Sequence, residues 1–169
     1  NLPSVLTLAS HRAGHMIARF EHLGSLELMQ GAAYKAHIAK RTALPTMAWE
    51  GLAVLPSGVV IAGDELRPGS PANADGGAIF KFIPSAPRYT STGSISALIE
   101  SPLAAGLVYA MQVSCTTGQQ YGQGCEIGNA AWIAVNAATA RVDANANGAT
   151  GYYRPEDLHQ DPMYRDAVN

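Results

Sequence analysis

MAWEGLAVLPSGVVIAGDELRPG, residues 47–69, is the stretch whose reading decides the fold. Apolar chain runs through Leu52-Ala53-Val54-Leu55 to Pro56-Ser57-Gly58 and returns through Val59-Val60-Ile61-Ala62. Gly58 supplies the positive φ that a tight return needs, so the stretch is expected to be a β-hairpin. Glu50 stands where the first strand begins, and the pair Asp64-Glu65 stands where the second ends. A carboxylate among Trp49, Leu52 and Ile61 is costly unless it is hydrogen-bonded, paired or coordinated to a cation. Two readings follow for these acids: ligands of a metal ion, or ion pairs at the rim of the sheet.

Working outward, the Asn/Asp/Gly turn at 73–77 leads into a strand at Ala78–Ile83, which Pro84-Ser85-Ala86-Pro87 stops. A polar, small-residue connection fills 88–105, and strands are expected at Leu107–Val113 and Ala131–Val135. Residues 137–140 are a small-residue run with room for one helical turn. Upstream, residues 1–46 carry short apolar runs broken by Gly14, Gly24 and Gly31, with no helical stripe over three turns, and read as strands and loops. His11, His15, His22 and His37 lie there, at spacings that match no metal motif on a regular helix. Short strands at regular intervals, with turn signals between them and no long helix, define an all-β chain built of meanders, compatible with a propeller, sandwich or barrel.

The bulk numbers fit that reading. The 169 residues suffice for one good core, so 1–169 is expected to be one domain or a piece of a larger one. Hydrophobic residues make up 47% and charged ones 14%, which excludes a disordered chain and leaves apolar surface for other protein to meet. The formal net charge is −2 and the longest basic run is Lys40-Arg41, so the basic patch of a nucleic-acid binder is missing. No apolar run approaches the roughly 20 residues that span a bilayer as a helix. The sequence opens at Asn1 without a Met or a basic leader, and is expected to be a processed or excised polypeptide. Cys115 and Cys125 bracket the Gly/Gln-rich segment TTGQQYGQG, which suits a disulfide in an oxidising, extracytoplasmic compartment; two unpaired thiols are the other reading.

Two further segments could carry chemistry. In GYYRPEDLHQDP, residues 151–162, Pro155 biases Arg154 towards extended backbone and delivers Glu156 from a rigid corner. The same letters also read as a helix start with Pro155 in first position, and Asp157 suits a local turn. In DANANG, residues 143–148, Asp143, Asn145 and Asn147 alternate before Gly148 like the first half of a calcium loop. Arg154 stands where an EF-hand places its closing Glu, so a complete EF-hand is excluded and a plain Asn/Gly loop competes. No nucleophile elbow of the G-x-S-x-G kind and no G-x-x-x-x-G-K phosphate loop occurs.

Taken in succession, WEGLAVLPSGVVIAGDE, DGGAIFKFIPS, LVYAMQVS, the strand around Trp132 and YYRPEDL resemble the PhoX-type alkaline phosphatase family over residues 47–162. The resemblance implies a β-propeller, here an incomplete one of meander blades, whose centre holds iron and calcium and hydrolyses phosphomonoesters outside the cytoplasm. It makes Glu50 and Glu156 metal ligands, with Asp64 and Glu65 matching the acidic end of the following strand. The family's upstream segment with an iron-ligating Cys has no counterpart, and Cys125-Glu126 stands in a different context. The resemblance therefore implies either a fragment or relative of a metal-dependent phosphatase, or a non-catalytic propeller module that docks onto other chains or the rest of its own.

Overall fold

Period-two alternation is written most plainly into Ile79–Pro84, where Phe80 and Phe82 are buried, Lys81 is half-buried and Ile83 is exposed. The computed structural model describes residues 8–11, 15–20, 24–29, 38–55, 57–69, 76–87, 98–113 and 130–159. Those residues form two antiparallel sheets, each a simple meander.

The first sheet has four strands in chain order: β1 (Leu8–His11), β2 (His15–Phe20), β3 (Gly24–Met29) and β4 (Ile38–Lys40). Its register puts Leu8, Ser10, Met16, Ala18, Phe20, Gly24, Leu26, Leu28, Ile38 and Lys40 at positions of one face. The positions of the other face go to Ala9, His11, His15, Ile17, Arg19, Ser25, Glu27, Met29 and Ala39. Of the apolar runs of the N-terminal stretch, His15–Phe20 is thus a β-strand.

The second sheet has five strands, again in chain order: β5 (Trp49–Val54), β6 (Val60–Asp64), β7 (Ile79–Pro84), β8 (Gly106–Val113) and β9 (Ala130–Val135). The hairpin expected from the opening stretch is β5–β6, closed by Leu55 N–H donating to Val59 O at 2.8 Å and Gly58 N–H donating to Leu55 O at 2.9 Å. Gly58 takes φ +86°, the conformation for which the turn uses glycine. Two cross-strand rows make the buried face: Val60, Phe82, Val108 and Val135, then Ala62, Phe80, Ala110 and Ile133. Fully burying a side chain of this size contributes on the order of 2 kcal/mol, so these rows supply much of what holds the sheet.

Leu44, Met47 and Trp49 pack on this face from one side, and Leu103, Ala140, Ala144 and Ala149 from others. Trp49 donates its indole N–H to Pro45 O at 3.0 Å, which satisfies the one polar atom of a buried ring. Leu103 belongs to a short 3-10 turn, Pro102–Ala104, whose first N–H groups are served by the Ser101 hydroxyl accepting from Leu103 N at 3.1 Å.

After β9 the chain makes a 3-10 turn, Ala137–Thr139, and the helix α1, Ala140–Ala146. DANANG therefore differs from the expected loop: its first four residues are helical. Asn136 caps the entry by accepting from Ala138 N at 2.9 Å, and Asp143 accepts from Asn136 N at 2.9 Å. The exit is a Schellman motif, with Ala149 N–H on Ala144 O at 2.9 Å, Gly148 N–H on Asn145 O at 3.2 Å, and Gly148 at φ +74°. Ala140 and Ala144, one turn apart, press the helix against β8 and β9 through side chains small enough for close approach. No helix among the described residues is long and apolar enough to cross a membrane.

Candidate functional site

The acids stand at the end of β6, Asp64 as its last residue and Glu65 as the next. Asp64 N–H bonds to Ala78 O at 3.0 Å and Glu65 N–H to Ala48 O at 2.8 Å, so the backbone is held through the rim. Adjacent residues of extended chain face opposite ways, and the pair separates accordingly. Asp64 is fully buried, whereas Glu65 is half-buried.

Asp64 accepts three hydrogen bonds. Arg141 of α1 gives two, Nη2 to Oδ1 at 2.6 Å and Nε to Oδ2 at 2.8 Å, and Ala48 N–H gives a third to Oδ1 at 2.9 Å. The fork-on-fork geometry fits guanidinium to carboxylate and satisfies both oxygens of a group that burial would otherwise penalise. The hydrogen bond to Asp64 raises the Arg141 pKa above its ordinary value.

Above this pair the chain folds back as residues 151–159. Tyr152 and Gly77 exchange two backbone hydrogen bonds, at 2.8 and 2.9 Å, and Arg154 N–H donates to Leu66 O at 3.1 Å. The returning chain lies in a lane cleared by glycines. A Cβ on Gly63 would strike the Pro155 carbonyl oxygen, and one on Gly51 would strike the Leu158 nitrogen. Gly51 is also the extra residue of a β-bulge between Glu50 and Leu52 and takes φ +48°.

The corner itself departs from the extended backbone expected before a proline: Arg154 takes φ +50° and Asp157 φ +51°. The reason lies in what Arg154 is bonded to. Its N–H is held by Leu66 O, while its guanidinium reaches Glu65 and also Glu156, the latter at 2.9 Å. The hydrogen bond to Glu65 raises the Arg154 pKa above its ordinary value. The helix start considered for this segment does not form, since no helix occurs among residues 151–159.

Of the residues singled out in the sequence, the structure thus brings Glu65 and Glu156 together, through one arginine, with Asp64 beneath them on another. Glu50 lies on β5 opposite Gly63, half-buried. Asp143 and Asn145 lie on α1 and Asn147 is its C-cap residue. Alternate residues of a helix project to different sides, so the three oxygens do not converge as they would in a calcium loop. Cys115 and Cys125 lie outside the described residues. Among the described residues no three His, Cys, Asp or Glu side chains come together as a metal ion would require.

Arg141 is the functional neighbour that sequence reasoning missed. One signal pointed to it: it is the only cation between Arg88 and Arg154, set in a run of alanines. A buried acid needs a partner, and a lone arginine in small-residue surroundings is the natural supplier.

Among the described residues, fold and rim together define a mostly β structure with an open five-stranded antiparallel sheet, one short α-helix on it, and an acid–arginine corner at the strand ends. No protein-family model, no curated protein and no solved structure matches it.

Proposed function

We propose that this chain is a non-catalytic β-meander module, of the propeller-blade kind, with a binding or structural role in a larger extracytoplasmic assembly. One observation carries the proposal: three of the four carboxylates expected to ligate metal are each bound by a guanidinium. Such an arrangement locks strand ends to the chain that crosses them, which is what a structural corner requires. As they stand, these donors do not fit iron or calcium, because every Asp64 oxygen is taken by N–H groups and Arg154 puts a positive charge between Glu65 and Glu156. The exposed side chains of Ile83 and Leu107 on the far face of the sheet are consistent with contact to other protein.

The phosphatase reading rests on the sequence resemblance and on the meeting of Glu65 and Glu156 at one rim. It requires Arg154 to leave both carboxylates so that metal ions can take its place. Elemental analysis of the purified native protein by plasma mass spectrometry, run beside hydrolysis of p-nitrophenyl phosphate, separates the two. The module reading expects neither iron nor calcium above the buffer level and no hydrolysis. Near-stoichiometric iron and calcium, lost together with phosphatase activity in Glu50→Gln or Glu156→Gln, would overturn it.

A further inference from the structure

The chain's own return covers the far face of the second sheet at one end, where Pro155 lies against Gly63. The other end is open. There Ile83 of β7 stands directly opposite Leu107 of β8, and the two residues are 36% and 62% exposed. Two residues along the strands Lys81 opposes Tyr109, and beyond them Met111 opposes Trp132 of β9. Directly opposed residues of an antiparallel pair share a face, so these six side chains form one apolar and aromatic surface with a single cation in it. The Lys81 ammonium lies 4.1 Å from the Trp132 ring centre and 5.7 Å from that of Tyr109, and none of the ion pairs among the described residues includes it. The rings attract it but accept little from its three N–H donors. Across the sheet its row continues as Ala53, Ile61 and Ala134, none of them an acid.

Taking the chain as the binding module already proposed, we infer that this surface docks an extended segment of a partner protein carrying a carboxylate and, two residues from it, an aliphatic side chain. The carboxylate meets Lys81, and the aliphatic group covers Ile83 and Leu107. Lys81 and Ile83 are two residues apart on one strand, about 6.6–6.8 Å along it. A strand stacked on this face, aligned within about 30°, presents its own alternate side chains at the same spacing. Charge complementarity selects the occupant. A second copy laid face to face by a two-fold axis turns Lys81 towards its own counterpart, with no acid in the row to meet it. An anionic membrane surface is held by clusters of about four to eight basic residues, and this face offers one. Trp132 and Tyr109 beside the cation are of the residue types that carry most energy at the centre of protein interfaces.

The test is selection of a phage-displayed random peptide library on the immobilised full chain, followed by titration of the enriched peptide in solution. Enriched peptides are expected to carry Asp or Glu two residues from Val, Ile or Leu. Lys81→Glu should weaken the selected peptide by more than about tenfold, and the same peptide with Lys in place of its acid should bind that variant again. Should Lys81→Glu lose its sheet by circular dichroism, two other changes decide. Replacing the peptide's acid by its amide tests the charge without altering the protein, and Leu107→Asp tests the aliphatic contact at an exposed position that the core does not use. Each should remove most of the binding. No enrichment over an unrelated immobilised protein, or enriched peptides without an acid, or binding indifferent to these changes, overturns the inference. So does a wild-type dimer in analytical ultracentrifugation that Leu107→Asp turns into a monomer, because a second copy then holds the face. The metal and phosphatase measurements that test the module reading do not involve this face, so either failure is recognised by itself.

Discussion

Asp64 and Arg141 form a two-pronged ion pair, 2.6 and 2.8 Å long, that fastens the end of a central strand to the only α-helix among the described residues. The two partners are unequally exposed: the Asp64 side chain is fully buried, whereas 24% of Arg141 remains accessible. That asymmetry sets the outcome of breaking the pair from either end. Arg141→Met strands a buried carboxylate and should cost about 3–5 kcal/mol, the range for an uncompensated buried charge. Asp64→Asn keeps an acceptor for Ala48 N–H and leaves the freed guanidinium a route to water, so it should cost less. Urea denaturation of both variants checks the order; an Asp64→Asn loss equal to or larger than that of Arg141→Met would remove the argument.

The glycine lane separates two reasons for having no side chain. Gly63 has ordinary backbone, but a Cβ there would meet Pro155, including its carbonyl carbon at 3.0 Å and its own Cβ at 3.2 Å. Gly69 takes φ +78° with nothing within 4 Å of where its Cβ would be. Gly69→Ala should therefore cost about 1–2 kcal/mol, the backbone term alone. Gly63→Ala should cost about 1–3 kcal/mol through overpacking, and it should also loosen residues 151–158. Limited proteolysis reads the difference: Gly63→Ala exposes the corner to cleavage, and Gly69→Ala does not.

What the sequence made legible follows the physics that acts locally. The strands from β5 to β9 were readable because period-two alternation and the turn at Pro56-Ser57-Gly58 are properties of neighbouring residues. The helix at Ala140–Ala146 was not, because DANANG has weak helical preference and is held by its caps and by Ala140 and Ala144 against the sheet. The partner of Asp64 lay beyond pattern reading for a different reason: 77 residues separate it from Arg141, and only the closed fold makes them neighbours. Arg154 shows the limit of a local rule. Proline after it disfavours its conformation, and its hydrogen bond to Leu66 O with the ion pairs to Glu65 and Glu156 holds it there regardless.

Thr150 joins the end of the helical segment to β8 from both of its polar groups. Its N–H donates to Met111 O at 3.0 Å, and its hydroxyl oxygen accepts from Val113 N–H at 2.8 Å. Thr150 is almost wholly buried, so Thr150→Val preserves the shape while depriving a buried N–H of its acceptor. The expected loss is about 1–3 kcal/mol, the cost of leaving such a donor unsatisfied. Amide hydrogen exchange locates it: Val113 should lose protection more than Ala110, whose neighbours are unchanged. Equal exchange at both positions would show that the hydroxyl contributes nothing to that end of the strand.

Lys81 sits on the far face of the sheet, its ammonium 4.1 Å from the Trp132 ring centre and 5.7 Å from that of Tyr109. The rings attract the cation, yet burial removes water from it, and desolvation lowers its pKa below the ordinary value of 10.5. A base whose folded pKa is depressed binds fewer protons in the folded than in the unfolded state through the window between the two values. Stability must then rise with pH across that window, the cost being complete below the folded value and gone above 10.5. Other groups titrate nearby, so the quantity to measure is the difference between wild type and Lys81→Met as pH is raised towards 10.5. Wild type should gain on the variant along that climb, because only the wild type sheds the penalty of a desolvated charge. A flat difference would mean that the aromatic rings fully compensate for the lost water, and a falling one that they more than do so.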